Sequence, residues 1–467
     1  MIATLITAFL CLSPIQDGLE TEQVTAIDKV FQRWNRLTSP GCAVAVYQRG
    51  QMVYGKGFGS ANLEHRVPIK TDTVFRIAST SKQFTAACVI LLEMDGELSR
   101  KDDVREWIPE LPEYPEPILI EDLLHHTSGL RDYLQLLEWA GYSDEADVDE
   151  GVVLDLLTRQ RGLNHLPGEA HSYTNTGYFL LSLLVERVSG ESLRKFAERR
   201  IFEPLGMRHT FFGDDANEVI PKRATGYERG WLQGAFRISE TRLELVGDGA
   251  VFTSVEDLFL WDQNFYQPKL GGETFIQRMI EPAVLRNGAV LDYASGLGVN
   301  TWRGQSVVSH GGAFVGFRAQ MMRFPEKQTT IVCLSNRADF DPTTRCREVA
   351  EVLFSDLERA PEDGGDEGSR LDPGEDDSLP AREPEACAGR YTSEELGGVT
   401  WSFRVAGEHL YLEGLWEKPQ RMRINKRGTW TGAGGELRFY VDSEGKVQRF
   451  VLSGGRARGI EFKRVRD

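Results

Sequence analysis

The chain has 467 residues, 41% of them hydrophobic, which supports a large buried core and excludes a fibrous or wholly disordered protein. A formal charge of -16 with no offsetting basic block argues against a nucleic-acid backbone as partner. The length predicts two domains, or one large domain with an appendix.

Ile2 to Leu12 is apolar and uncharged and runs into Ser13-Pro14, so residues 1–18 read as a signal peptide whose hydrophobic region is too short to span a bilayer. The alternative is a frayed N-terminus. A signal implies a secreted or periplasmic protein with no transmembrane span in the mature chain. Its removal leaves Cys42, Cys88, Cys333, Cys346 and Cys387, widely spaced in apolar contexts that suggest core positions and no disulfide framework.

Val24, Ile27, Phe31 and Trp34 give a first helix one apolar stripe. Cys42 to Tyr47 and Met52 to Phe58 read as a hairpin around Gln48-Arg49-Gly50-Gln51. From Ser79 to about Phe265 the signals are mainly helical, including Ile120 to His126, Gly177 to Val188 and Thr253 to Phe265. Strand signals return at Ser306 to Ser309, Phe317 to Phe324 and Thr329 to Ser335. Cys346, Val349, Ala350, Leu353 and Leu357 then mark a last helix. Strands at both ends with helices between predict an α+β domain over residues 19–360: one antiparallel sheet of sequence-distant segments, flanked by helices, with an inserted helical lobe. Residues 361–386 carry ten acidic and two basic side chains among glycines and prolines, a composition that cannot offset chain entropy by burial and reads as a disordered linker. Short alternating runs over residues 387–467, such as Trp401, Phe403, Val405 and Leu437, Phe439, Val441, predict a separate antiparallel β domain, a small barrel or sandwich.

The chemistry centres on Ser79-Thr80-Ser81-Lys82. A short extended run, Val74 to Ala78, leads into it, and Phe84, Ala87, Cys88, Leu91 and Leu92 follow at helical spacing, so Lys82 reaches the Ser79 hydroxyl from one turn away. About two S-x-x-K matches are expected by chance in such a chain. It holds three, and the others have structural explanations: Ser192 with Lys195 opens an amphipathic helix as a cap, and Ser443 with Lys446 sits in a glycine-bearing hairpin turn. Tyr173-x-Asn175 precedes a very apolar helix and reads either as a polar catalytic pair or as a core aromatic with a helix cap. His310-Gly311-Gly312-Ala313 continues a strand. Its glycines either let backbone approach a ligand or end a hairpin. The adjacent His125 and His126 diverge by about 100° on a helix, a poor ligand pair, and at least one is expected to be structural. No metal or cofactor is predicted. The G-x-S-x-G elbow and the H-E-x-x-H zinc motif are absent.

Taken in order, Ser79-x-x-Lys82, Tyr173-x-Asn175 and His310-Gly311-Gly312 resemble the three motifs of the serine β-lactamase and penicillin-binding protein superfamily, in its class C β-lactamase-like branch of esterases, D-aminopeptidases and D,D-peptidases. Leu123 to Leu130, Pro167-Gly168-Glu169, Pro204 to Met207 and Tyr293 to Gly298 fit the same likeness, which covers roughly residues 22–358. The resemblance implies a serine hydrolase that is acylated on Ser79, with Lys82 and Tyr173 handling its proton. Asn175 would orient the lysine or a substrate amide, and the N–H groups of Ser79 and Ala313 would form the oxyanion hole. A free lysine titrates near about 10.4, so a base working near neutrality must titrate about 3 pH units lower. Where β-lactam specialists carry Lys-Thr-Gly this chain has His310-Gly311-Gly312, so the resemblance favours D-amino-acid peptides, amides or small esters as substrates. The alternatives are a β-lactamase and a catalytically weak penicillin-binding or sensor protein. His310, Gly311 and Gly312 would line the substrate site, with Arg318 supplying a positive charge if it faces the cleft. The partner is a small-molecule or peptide substrate, and the C-terminal domain either caps the cleft or is a passive module.

Overall fold

The computed structural model describes residues 18–143, 146–232, 234–357, 383–415, 418–425, 428–432 and 434–465. The signal-like stretch through residue 17 and residues 361–382 of the acidic segment lie outside the described residues.

A six-stranded antiparallel sheet forms the frame, in the order Gly298–Trp302, Gln305–Phe314, Phe317–Phe324, Thr329–Ser335, Cys42–Gln48, Gln51–Phe58. The first strand of the chain therefore pairs with the last of this domain. Cys42–Gln48 is covered on both faces, which is why it reads as an unbroken apolar run. Cys42, Val44 and Val46 share a core with Ile27 and Phe31 of the helix Thr21–Phe31 and with Val349 and Ala350 of the helix Pro342–Leu353. Ala43, Ala45 and Tyr47 face the helical lobe on the other side, where Phe84 and Leu181 lie. That lobe is built on the helices Lys82–Asp95 and Asn175–Ser189, which pack against each other.

The predicted helices and strands recur, with local differences. The α-helix after the serine motif starts at Lys82, and Ala78–Ser81 form a 3-10 turn feeding it. The first helix likewise tightens into a 3-10 turn at Gln32–Trp34, and the last ends at Leu353. The stretch read as mainly helical also holds the strands Phe211–Phe212 and Val251–Thr253, too short to show a period of two, and Val251–Thr253 pairs with Phe75–Arg76 of the extended run before Ser79. Ser192 is a helix cap, its hydroxyl accepting from Lys195 N, and Ser443 lies in the turn between Gly435–Val441 and Val447–Gly454.

After a short helix, Pro384–Cys387, nine antiparallel strands form the second sheet. Its terminal strands, Gln420–Arg421 and Arg423–Ile424, are separated only by Met422, so the sheet nearly closes into a barrel. Inward positions alternate along each strand, and Tyr391, Trp401, Phe403, Phe439, Phe450 and Phe462 fill the interior. The barrel is bolted to the helical lobe. Arg131 and Glu395 form a buried ion pair at 2.7 Å, and Trp401 Nε1 donates to the carbonyl of Trp139 at 3.1 Å. The five described cysteines are buried and none forms a disulfide. No helix among the described residues is long and apolar enough to cross a membrane.

Candidate active site

The 3-10 turn Ala78–Ser81 packs against the strand Gln305–Phe314, and this contact brings two of the three motifs together. Gly312 is what lets the strand come so close: a Cβ there would lie 2.1 Å from the carbonyl oxygen of Ile77. Thr80 Oγ1 donates to the carbonyl of His310 across the same gap at 3.4 Å. Ala78, just before Ser79, adopts a left-handed φ of 47°, a conformation that costs a side-chain-bearing residue about 1 to 2 kcal/mol. It aims Ser79 out of the turn into a cavity of about 600 Å³, which Tyr173, Asn175, His310, Gly311, Gly312 and Ala313 also line.

Lys82 lies beneath Ser79 and is wholly buried. Its Nζ is 2.8 Å from Asn175 Oδ1, 2.7 Å from the carbonyl oxygen of Asp248 and 3.3 Å from Ser79 Oγ. Two of these partners are carbonyl oxygens that can only accept, so they take two N–H groups, and the third direction of the nitrogen points at the serine. That third direction carries an N–H donated to Ser79 Oγ when Lys82 is an ammonium, and a lone pair facing the Ser79 proton when it is a neutral amine. The Asn175 amide is thereby oriented: Oδ1 faces Lys82, and Nδ2 remains as a donor. Asn175 N in turn donates to Asp132 Oδ2 at 2.6 Å, fixing the start of its helix. Tyr173 precedes that helix, with its ring centroid 5.0 Å from Lys82 Nζ. Its buried Oη has no hydrogen-bond partner among the described residues.

His310 and His126 are tied together through Tyr293. The Gly311 carbonyl can only accept, so His310 Nδ1 carries a proton and donates to it at 2.6 Å, while Nε2 accepts from Tyr293 Oη at 3.1 Å. Thr174 N donates to His126 Nδ1 at 3.3 Å, so His126 Nε2–H donates to Tyr293 Oη at 3.1 Å. Burial, and then the charge of Lys82, push the His310 imidazole down to about 4, and the same two causes hold His126 well below the ordinary histidine range. Both rings are therefore neutral near pH 7. His126 is the structural histidine of the adjacent pair, and it supports the Tyr173 segment from below.

Arg318 lines the cavity too, but its Nη1 donates to the carbonyls of Val315 and Phe317 at 2.9 and 2.6 Å, bracing the strand turn. Every residue singled out from the sequence thus lines the cavity or, like Lys82, lies directly under it. Three others escaped that reading. Asp248 acts through its backbone carbonyl, which has no side-chain signature, although the preceding Gly247 marks a close approach, since a Cβ there would lie 2.3 Å from the Tyr178 carbonyl oxygen. Tyr293 lies in a stretch that fitted the family likeness without a role. Arg456 comes from the barrel, nearly 300 residues from Tyr173, whose ring its guanidinium carbon overlies at 4.8 Å. Among the described residues no cluster of histidine, cysteine or carboxylate side chains could hold a metal ion.

A family model described as beta-lactamase matches residues 27–354. Penicillin-binding protein 4* of Bacillus subtilis (strain 168) is 30% identical over 390 residues, covering 79% of this chain and 83% of that protein. A D-aminopeptidase of Gluconobacter oxydans (strain 621H) is 30% identical over 319 residues, covering 68% of this chain but only 60% of that protein's length. Among solved structures, the octameric penicillin-binding protein homologue from Pyrococcus abyssi superposes over 95% of this chain and 99% of its own with a TM-score of 0.63 at 22% identity. The D-amino acid amidase from Ochrobactrum anthropi SV3 in complex with L-phenylalanine amide covers 72% of this chain and 99% of its own, with a TM-score of 0.59 at 22% identity. With Ser79, Lys82, Tyr173 and the His310 strand assembled on this fold, and with a model match over most of the catalytic domain, the chain belongs to the beta-lactamase family of serine hydrolases.

Proposed function

We propose that the protein hydrolyses amide or ester bonds of D-amino-acid peptides, amides or small esters through an acyl-enzyme on Ser79. The observation that carries this reading is the Lys82 amine, held by two carbonyl acceptors so that its remaining direction meets Ser79 Oγ at 3.3 Å. In the first step Ser79 Oγ bonds to the substrate carbonyl carbon while its proton passes to Lys82. The N–H groups of Ser79 and Ala313 receive the oxyanion. The tetrahedral intermediate then expels the amine or alcohol, which takes a proton from the Tyr173 hydroxyl, and Lys82 reprotonates the tyrosine. Water, deprotonated by the same pair, attacks the ester and frees Ser79. Asn175 Nδ2 is placed to hold a substrate carbonyl. The names of the relatives, D-aminopeptidases and a penicillin-binding protein, agree with a substrate of this class. The apolar N-terminal stretch supports a secreted or periplasmic location.

The test is covalent. A fluorophosphonate probe should label Ser79 and no other serine, and Ser79→Ala should abolish both the label and turnover of p-nitrophenyl esters and D-alanyl amides. Labelling of Ser192 or Ser443 with Ser79 untouched would sink the assignment.

A further inference from the structure

We infer that Arg456, supplied by the C-terminal barrel, binds a carboxylate of the substrate, so that the second domain completes the site and selects anionic substrates; this rests on the acyl-transfer reading above. Arg456 stands in the tight turn where Gly454 pairs with Ala457 between the last two strands. That turn is seated hard on the helical lobe: a Cβ on Gly455 would lie 2.4 Å from Gln135 Oε1. The carbonyl of Arg456 accepts from Asp132 N at 3.1 Å and from Asn164 Nδ2 at 2.9 Å, and Arg458 N donates to Asn164 Oδ1 at 2.9 Å. Its backbone is therefore pinned at the cavity rim.

The side chain above that pinned backbone has donors to spare. The guanidinium lies over Tyr173, half-exposed, and makes only a loose ion pair with Asp132 Oδ2 at 3.9 Å, an oxygen that also accepts from Asn175 N. The other cationic or cation-forming groups of the cavity each spend donors on the protein itself. His310 is neutral and uses both ring nitrogens internally. Arg318 braces the strand turn. Arg76 is buried, donates through Nε to the carbonyl of Gly249, and lies over Phe252 and Phe314. Of the carboxylates lining the cavity, Asp248 Oδ2 accepts from Tyr133 Oη at 3.0 Å, and Asp341 caps the start of the helix Pro342–Leu353. A carboxylate reaching Tyr173 meets a guanidinium fork suited to grip it with two hydrogen bonds.

The experiment compares, on the full chain, an acylated D-alanyl-D-alanine peptide ending in a free carboxylate with the same peptide ending in an amide. The readout is the ratio of their kcat/KM values. The wild type should favour the carboxylate by about tenfold or more, the effect of one charge-assisted contact. Arg456→Ala should collapse that ratio toward one, mainly through KM, Arg456→Lys should keep part of it, and Arg456→Glu should invert it. A wild-type ratio near one, a ratio unmoved by Arg456→Ala, or turnover of neither peptide while p-nitrophenyl esters are hydrolysed overturns the proposal. Fluorophosphonate labelling of Ser79 in each variant reports that the site is folded. Absence of both label and ester turnover in the wild type would instead overturn the acyl-transfer reading, and this proposal with it.

Discussion

The interior beneath Ser79 and the interior of the C-terminal barrel are both buried, yet they are filled with opposite materials. Beneath Ser79 lie Lys82, Asn175, His126 and Asp248, all buried, each held by hydrogen bonds to backbone or to its neighbours. The barrel instead packs rings against rings: Phe450 stacks on Phe462 at 4.5 Å between centroids and also meets Tyr391, Phe403 and Phe439 within 5.5 Å. Dry polar groups cost stability unless every partner is present, and the same dryness strengthens each interaction available to chemistry. Aromatic packing has no such condition attached. The helical lobe buries a connected set of polar groups, and the barrel, with its ring-packed core, seats the turn Gly454 to Ala457 against that lobe.

The contrast breaks most sharply at Lys82. Lys82→Met should lower kcat/KM by about three orders of magnitude or more, with circular dichroism still reporting a folded chain. Survival of more than a tenth of the activity would mean that another group takes the serine proton. In the barrel, Phe450→Ala should act on stability, by about 3 to 5 kcal/mol in chemical unfolding, while the folded fraction keeps its reactivity toward a small neutral ester. An equal loss of turnover per folded molecule would show that the two interiors are not separable. The seam between them comes next. Arg131→Ala leaves Glu395 buried without its partner, and such a loss costs about 3 kcal/mol or more. The expected readout is earlier proteolytic release of the barrel. Unchanged protease resistance would assign the seam to Trp401 and Trp139.

How much of this was legible in the sequence follows the same division. Alternation exposed the barrel strands because one face of each is apolar and the other wet. The central strands of the large sheet were visible as apolar runs because both of their faces are covered. The edge strand Gly298–Trp302 was missed, since its half-exposed residues show neither pattern. Ser79, Lys82, Tyr173, Asn175 and the His310 strand were legible because their short contiguous motifs, taken together and in order, resemble those of one superfamily, whereas the spacing of each motif alone left other readings open. The Asp248 carbonyl was not, because every residue has one. Arg456 was hidden for a different reason: nothing in Gly455-Arg456-Ala457 announces that the turn folds back onto Tyr173. That contact is a property of domain docking.

The smallest effect tests whether the polar interior is one unit. Tyr293→Phe removes the hydroxyl that accepts from His126 and donates to His310, leaving two buried ring nitrogens unpaired at a cost of about 2 kcal/mol. The pH dependence is the sharper readout. His310 titrates near 4 when folded, and an unfolded histidine near about 6.5, so between those values the unfolded chain takes up a proton that the folded one refuses. Stability should therefore be full above about pH 6.5 and decline as the pH falls toward 4. The Tyr293 hydroxyl favours the neutral ring by donating to it. Its removal should raise the folded titration point and flatten that decline, even though the variant starts out less stable. Denaturant unfolding of both proteins between pH 7 and pH 4.5 measures the two slopes. Parallel slopes would mean that Tyr293 only fills space between the histidines, and that burial and the Lys82 charge keep His310 neutral without it.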